Sequence, residues 1–276
     1  MSSPRTRRST TVWWSSSLVA AAAAVAIAAT AEAAPHRVVS LNLCADQFLV
    51  LLLPRDRIAA LSPLADDPTL SAVAGRAAGI RRVAPLAEAV LPLAPDLAVA
   101  GPWGGAGAAS VLERRGIPVL RLGLAETFSA IEEQLLRIGE ALGEGETASR
   151  LAAEMRTALD ALPPAPREKP RALVWQARGF VPGAGTLADS VLVAAGFANA
   201  APFRGYGFVA LEALLASPPS LLVTAPPGGP ASLSTALTNH PAIARAAIPR
   251  ATVDPALLAC GSPLTVDAAV TLAAAR

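Results

Sequence analysis

The sequence predicts an α/β protein made of two lobes with parallel central sheets, joined by a single long α-helix. Three observations lead there. From residue 37 onward, short apolar runs alternate with helical stretches, a rhythm that belongs to parallel sheets covered by helices. Near the middle the rhythm breaks into two consecutive helical stretches, 127–142 and 146–162, and then resumes. Finally, residues 88–102 (EAVLPLAPDLAVAGP) recur as residues 212–226 (EALLASPPSLLVTAP), an offset of 124 positions.

The elements follow in order. Residues 1–33 have the parts of a secretory signal peptide: Arg5, Arg7 and Arg8, an alanine-rich apolar stretch 18–29, and the small-x-small site Ala31-Glu32-Ala33. A membrane span needs about 20 apolar residues, more than this stretch offers. No cysteine stands at the cleavage site, so no lipid anchor is expected, and the exported chain is expected to be soluble in the periplasm. Residues 37–41 read as a strand, 46–53 as a helix stopped by Pro54, 57–61 as a strand, 97–100 as a buried strand, 108–115 as a helix and 117–122 as a strand. In 146–162, Leu151, Met155, Ala158 and Leu162 form one stripe, and Pro163, Pro164 and Pro166 end it. Its length and that stop mark it as the connector. A strand at 171–175 restarts the alternation. The division is signal peptide 1–33, first lobe 34–125, helical linker region 126–166 and second lobe 167–276. Each copy of the repeat is a short helix opened by a glutamate, a proline stop, a buried strand and a loop at that strand's C-terminal end, where open α/β sheets bind ligands.

Composition excludes several functions. The 276 residues are 53% hydrophobic and 16% charged, which rules out a disordered chain. The formal charge of +2 is that of the leader, with three arginines and one glutamate, so the remaining 243 residues are neutral and no nucleic-acid partner is expected. Two histidines, His36 and His240, lie far apart in sequence, and with two cysteines they predict no metal site and no cofactor. No Gly-x-Ser-x-Gly elbow is present, and Cys44 has no evident histidine partner, so the chain is not expected to be an enzyme.

Four segments, RVVSLNLCADQFLVLL, DRIAALSP, EAVLPLAPDLAVA and VALEALLASPPSLLVT, taken in this order and spacing, resemble the periplasmic substrate-binding proteins of ABC transporters that serve vitamin B12 (cobalamin), iron–siderophore complexes and related chelates. The resemblance covers residues 37–276. It implies two Rossmann-like lobes joined by one rigid long helix, with the ligand clamped in a cleft between them. It also implies a monomer that binds a small-molecule metal chelate and delivers it to an ABC permease dimer without chemistry on the ligand. In that family each lobe carries an exposed glutamate that docks on permease arginines, and Glu88 and Glu212 stand at the matching positions. Leu64 stands where the vitamin B12 relatives carry an aromatic, so the chelate stays open between an iron–siderophore and a corrinoid.

Candidate ligand contacts follow from the loops. Trp103 lies in a glycine-rich loop straight after the 97–100 strand, and Tyr206 lies in another such loop, six residues before Glu212. Aromatics are scarce (four Trp, one Tyr, six Phe), and large planar ligands are held by apolar and aromatic walls. Arg178 and Arg204 lie in loops near the cleft and suit a ligand carboxylate or phosphate, while Trp175 is expected in the core. Asp66-Asp67-Pro68 reads as a turn at the rim. The family's layout places Cys44 and Cys260 in cleft-facing loops of opposite lobes. A disulfide, two free thiols contacting a ligand, and two unrelated buried cysteines all remain open there. A periplasmic α/β enzyme, or a ligand sensor without an importer, are the alternatives to transport.

Overall fold

The structure is a computed structural model that describes residues 34–226, 238 and 240–276; the expected signal peptide lies outside the described residues. The first lobe runs β1 (Val38–Ser40), α1 (Leu43–Leu52), β2 (Ile58–Ala60), α2 (Ala74–Ala77), α3 (Ala87–Val90), β3 (Leu97–Ala100), α4 (Ala106–Arg114) and β4 (Val119–Arg121). Two helices follow, α5 (Phe128–Leu142) and α6 (Gly145–Asp160). The second lobe runs β5 (Arg171–Val174), β6 (Phe180–Pro182), α7 (Leu187–Ala194), β7 (Ala198–Asn199), β8 (Tyr206–Phe208), α8 (Leu211–Ala216), β9 (Leu221–Thr224), α9 (Pro241–Arg245), β10 (Arg250–Thr252), α10 (Ala256–Ala259) and α11 (Val266–Ala274).

Each lobe holds one four-stranded, wholly parallel sheet, in the orders β2-β1-β3-β4 and β10-β9-β5-β7. Counted from the first strand of its lobe, each sheet has the order 2-1-3-4, the second being read from its opposite edge. The two lobes therefore share one winding. The repeat in the sequence is this shared winding: β3 and β9 are the third strands of their lobes and begin at Leu97 and Leu221, which are 124 positions apart. β6 and β8 add a small antiparallel ribbon to the second lobe.

The central strands are buried on both faces, which is why they read as unbroken apolar runs. β3 is buried at all four positions, and Phe48 and Leu49 of α1 pack beside Val38 and Val99. In the second lobe Val174, Leu221 and Val223 pack against Val191 and Leu192 of α7 and Leu272 of α11. Trp175 is fully buried, and its indole Nε1 donates to the Val209 carbonyl at 3.2 Å. One buried carboxyl, Asp46, accepts from the Ser62 backbone N at 2.8 Å and the Ser62 hydroxyl at 2.5 Å. Burial pushes its pKa up, against the lowering pull of Ser40, Ser62 and Arg82.

Helix ends depart from the expected bounds where capping decides them. The first helix begins at Leu43, three residues earlier than expected, because the Asn42 side chain accepts from Ala45 N and caps it. α5 ends at Gly143, whose φ of 72° is the left-handed region that glycine supplies without strain.

The helical middle sharpens the expectation of a connector. α5 and α6 pack on each other as a hairpin, and their closest approach is set by Gly139, where a Cβ would lie 2.3 Å from the Ala148 Cβ. α5 belongs to the first lobe's core through Leu135, Ile138 and Leu142. α5 also touches the second lobe, through Ile131 beside Leu187 and Val266 and through Phe128 on the second core, and α6 carries the chain across. Ala148 and Ala152 pack in that first core, Met155 joins a cluster with Leu187 and Val266, and Leu162, just beyond its end, packs on the second core. Its 16 residues span about 24 Å. The chain from Ala34 to Arg276 forms one compact unit.

Candidate functional site: a cleft between the lobes

A cavity of about 480 Å³ opens between the lobes. Every loop that lines it leaves the C-terminal end of a parallel strand or follows closely from one. From the first lobe come Cys44 after β1, Pro102 and Trp103 after β3, and Gly123, Leu124, Ala125 and Glu126 after β4. From the second come Phe180 beyond β5, and Leu258, Ala259, Cys260 and Gly261 beyond β10. Tyr206 of the β6–β8 ribbon, Leu187 of α7 and Gln134 of α5 complete the lining.

Trp103 is 68% exposed, and its position is fixed through its backbone. The same Asn42 that caps α1 donates its amide to the Trp103 carbonyl at 2.9 Å. Gly101 makes room for that amide, since a Cβ there would lie 2.0 Å from Asn42 Nδ2. Gly105, at φ 71° and with its Cβ position 2.8 Å from that of Leu41, brings the far end of the loop against the strand. Asn42→Ala is expected to cost about 1 kcal/mol through the lost cap. It should also free the Trp103 loop, read as a lower Tm together with lower Trp103 fluorescence anisotropy.

Across the cleft, Tyr206 is 57% exposed and stacks on Phe180 with ring centroids 5.6 Å apart, and Phe208 meets Phe180 edge-on. This aromatic wall stands on the β6–β8 pairing of Phe180 with Phe208 and of Pro182 with Tyr206. The Tyr206 hydroxyl points to Glu126 Oε1 at 3.4 Å. Partial burial, and then the nearby Glu126 charge, raise its pKa, so the phenol stays protonated and donates. Glu126 itself ties the lobes. Its Oε2 accepts from Leu187 N at the start of α7, and its carbonyl accepts from the Ser190 hydroxyl at 2.6 Å.

The lobes are also joined covalently. Cys44, in the first turn of α1, is bonded to Cys260 at the end of α10, with Cα atoms 5.4 Å apart across 216 positions of sequence. Next to it Gly261 lies so close to the other lobe that a Cβ would fall 2.1 Å from the Ala125 carbonyl. Both cysteines belong to the cleft lining, and neither is a free thiol. Cys44 therefore has no thiolate to offer as a nucleophile.

The other residues singled out from the sequence fall elsewhere. Arg178 and Arg204 are exposed and stand outside the cavity lining. Arg178 sits at φ 61° in the turn between β5 and β6, and the Arg204 guanidinium lies against Gly185, at 3.0 Å from where its Cβ would be. Loop position near a cleft does not fix where a long side chain points, and neither guanidinium joins the lining. Leu64 is 44% exposed and also stands outside the lining. Asp66 and Asp67 form the expected turn, with Asp66 paired to Arg82 at 2.8 Å and Asp67 accepting from Thr69 N at 2.8 Å. His240 Nδ1 accepts from Ala242 N and caps α9, and His36 lies at the other end of the described chain. Among the described residues no group of three or more His, Cys, Asp or Glu is placed to hold a metal ion. Glu88 and Glu212 lie exposed in the first turns of α3 and α8, outside the lining.

Leu124, Glu126 and Phe180 were not singled out from sequence. A signal existed for the first two, because they follow the C-terminal end of a buried strand, the rule that picked out Trp103.

Comparison with known proteins completes the site. A family model described as periplasmic binding protein matches residues 38–245. Two curated cobalamin-binding proteins of Halobacterium salinarum are each 28% identical over 211 residues, which cover 71% of this chain and 56% of theirs, so the chain spans about half the length of these relatives. Among solved structures, a periplasmic heme-binding protein of Pseudomonas aeruginosa is 25% identical with a TM-score of 0.69, covering 87% of this chain and 92% of that one. A periplasmic heme-binding protein of Roseiflexus sp. RS-1, 20% identical with a TM-score of 0.68 and covering 87% of this chain and 98% of that one, has the same fold. So does the periplasmic vitamin B12-binding protein of Vibrio cholerae, at 18% identity and a TM-score of 0.64 over 88% of this chain and 96% of that one.

Proposed function

We propose, because the chain belongs to the periplasmic binding protein family, that it captures a bulky metal chelate in the interlobe cleft and hands it to the permease of an ABC transporter. One observation carries this reading. The cavity is walled by aromatic residues from both lobes, Trp103 on one side and Phe180 with Tyr206 on the other, all on loops or ribbons beyond strand C-termini. Such a site encloses a large, flat, largely apolar ligand by contact area, with a few polar groups to orient it. The named relatives bind cobalamin or heme, which are chelates of that shape. The family's proteins bind and release their ligands, and the lining here offers no activated nucleophile, since its two cysteines are bonded to each other.

The exported protein acts in the periplasm, and its ligand is cargo. No helix among the described residues is long and apolar enough to cross a membrane. Glu88 and Glu212 are the docking carboxylates for the two permease subunits. The reading is tested by a calorimetric and Trp-fluorescence screen with cyanocobalamin, ferric siderophores and hemin. Saturable binding of one of them, quenching Trp103 and abolished in its quench by Trp103→Phe, is expected. Absence of binding by every chelate would overturn it.

A further inference from the structure

We propose that the cleft selects neutral or cationic chelates against anionic ones, and that Glu126 sets this selectivity. This deepens the binding-protein reading and rests on it. Among the described residues that line the cavity, Glu126 is the one that carries a charge. The other described lining residues are aromatic, aliphatic or uncharged, with no guanidinium or ammonium among them. Arg178 and Arg204, the two cations nearest in sequence to the second lobe's wall, stand outside it. Residues 227–237 and 239, in the segment that follows β9, contain no Asp, Glu, Lys, Arg or His, so their side chains bring no charge to the cleft.

An anionic chelate must give up hydration on entering an apolar cleft, and that loss is offset only where a cation pairs with it. Arginine is the usual partner for carboxylate and phosphate groups. Here the anion meets a carboxylate instead. A neutral ligand carrying amides meets an acceptor, and a cationic one meets a counter-charge. The Glu126 carboxylate is held in place for this. Leu187 N donates to one oxygen, the Tyr206 hydroxyl lies 3.4 Å from the other, and Ser190 fixes the backbone at 2.6 Å. A carboxylate has about four acceptor positions, so two such contacts leave capacity for a ligand N–H.

The test measures dissociation constants of the exported protein and of Glu126→Gln for cyanocobalamin (neutral), ferrioxamine B (cationic), and hemin and ferric enterobactin (both anionic). Glutamine keeps an acceptor oxygen for Leu187 N and removes the charge. Native protein is expected to bind a neutral or cationic probe at least about tenfold tighter than either anion, which corresponds to about 1.4 kcal/mol. Glu126→Gln should shrink that ratio by about tenfold with an unchanged melting temperature. An anion bound as tightly as the best neutral or cationic probe overturns the proposal while leaving the binding reading intact, and this comparison needs no variant. An unchanged ratio in a folded Glu126→Gln protein overturns the role of Glu126. Binding of no probe overturns the binding reading and the selectivity with it.

Discussion

Reduction of the Cys44–Cys260 disulfide is expected to lower the melting temperature by about 6–20 °C. The bond closes a loop across 216 positions of sequence, nearly the whole described chain. In the chain-entropy account, a loop of that length restricts the unfolded ensemble by about 5 kcal/mol, an upper figure that puts the net loss at about 3–5 kcal/mol. For a chain of this size each kcal/mol shifts the midpoint by about 2–4 °C. Cys44→Ser with Cys260→Ser should reproduce the effect of reductant, and reductant should then do nothing further to the double variant. Ligand affinity should fall as well, because the bond lies in the cleft lining and fixes the distance between two walls that a ligand must touch together. The noncovalent contacts beside it, Glu126 to Leu187 and Gly261 against Ala125, keep the lobes adjacent, so the affinity loss should be partial. Equal melting temperatures with and without reductant, together with two reactive thiols in the denatured, unreduced protein, would refute the expectation.

The sequence was most legible where burial is continuous. Leu97–Ala100 is buried on both faces, and its bounds read from sequence match the strand observed. The repeat was legible for a related reason. A glutamate-opened helix, a proline stop and an apolar strand form one local unit, and the shared 2-1-3-4 winding repeats that unit in each lobe. What escaped depends on tertiary geometry. Nothing in the residues around Cys44 and Cys260 chooses between pairing and separate burial, because their 5.4 Å approach is set by two lobes and the α6 crossing. Glu126 stood at the first position of the expected linker region, just before the helix expected at 127–142, and only the fold brings Leu187 N, 61 positions away, to its carboxylate. Arg178 and Arg204 show the converse. Their loops are near the cleft, yet neither side chain joins its lining.

Exchanging both proposed docking carboxylates, Glu88→Arg with Glu212→Arg, is expected to abolish uptake while leaving ligand affinity unchanged. The two residues occupy equivalent places, each in the first turn of a short helix that precedes the third strand of its lobe. Both are exposed, and among the described residues neither is engaged in an ion pair. Two matching charges on two lobes of like winding suit a partner with two-fold symmetry, one carboxylate to each subunit. A rim charge of this kind mainly steers association and orients the complex, so reversing it replaces attraction by repulsion at both contacts. Each glutamate also sits favourably at a helix N-terminus, worth about 0.3–1 kcal/mol, so the double variant should lose only a little stability. Measuring uptake, ligand affinity and melting temperature on the same protein separates these effects. Neither residue lines the cleft, so a fall in affinity would point to misfolding. Undiminished uptake by a folded, ligand-competent double variant would show that the permease is gripped elsewhere. A single reversal should leave one lobe attached and give an intermediate rate, because the two contacts act through one rigid body and each raises the effective concentration of the other.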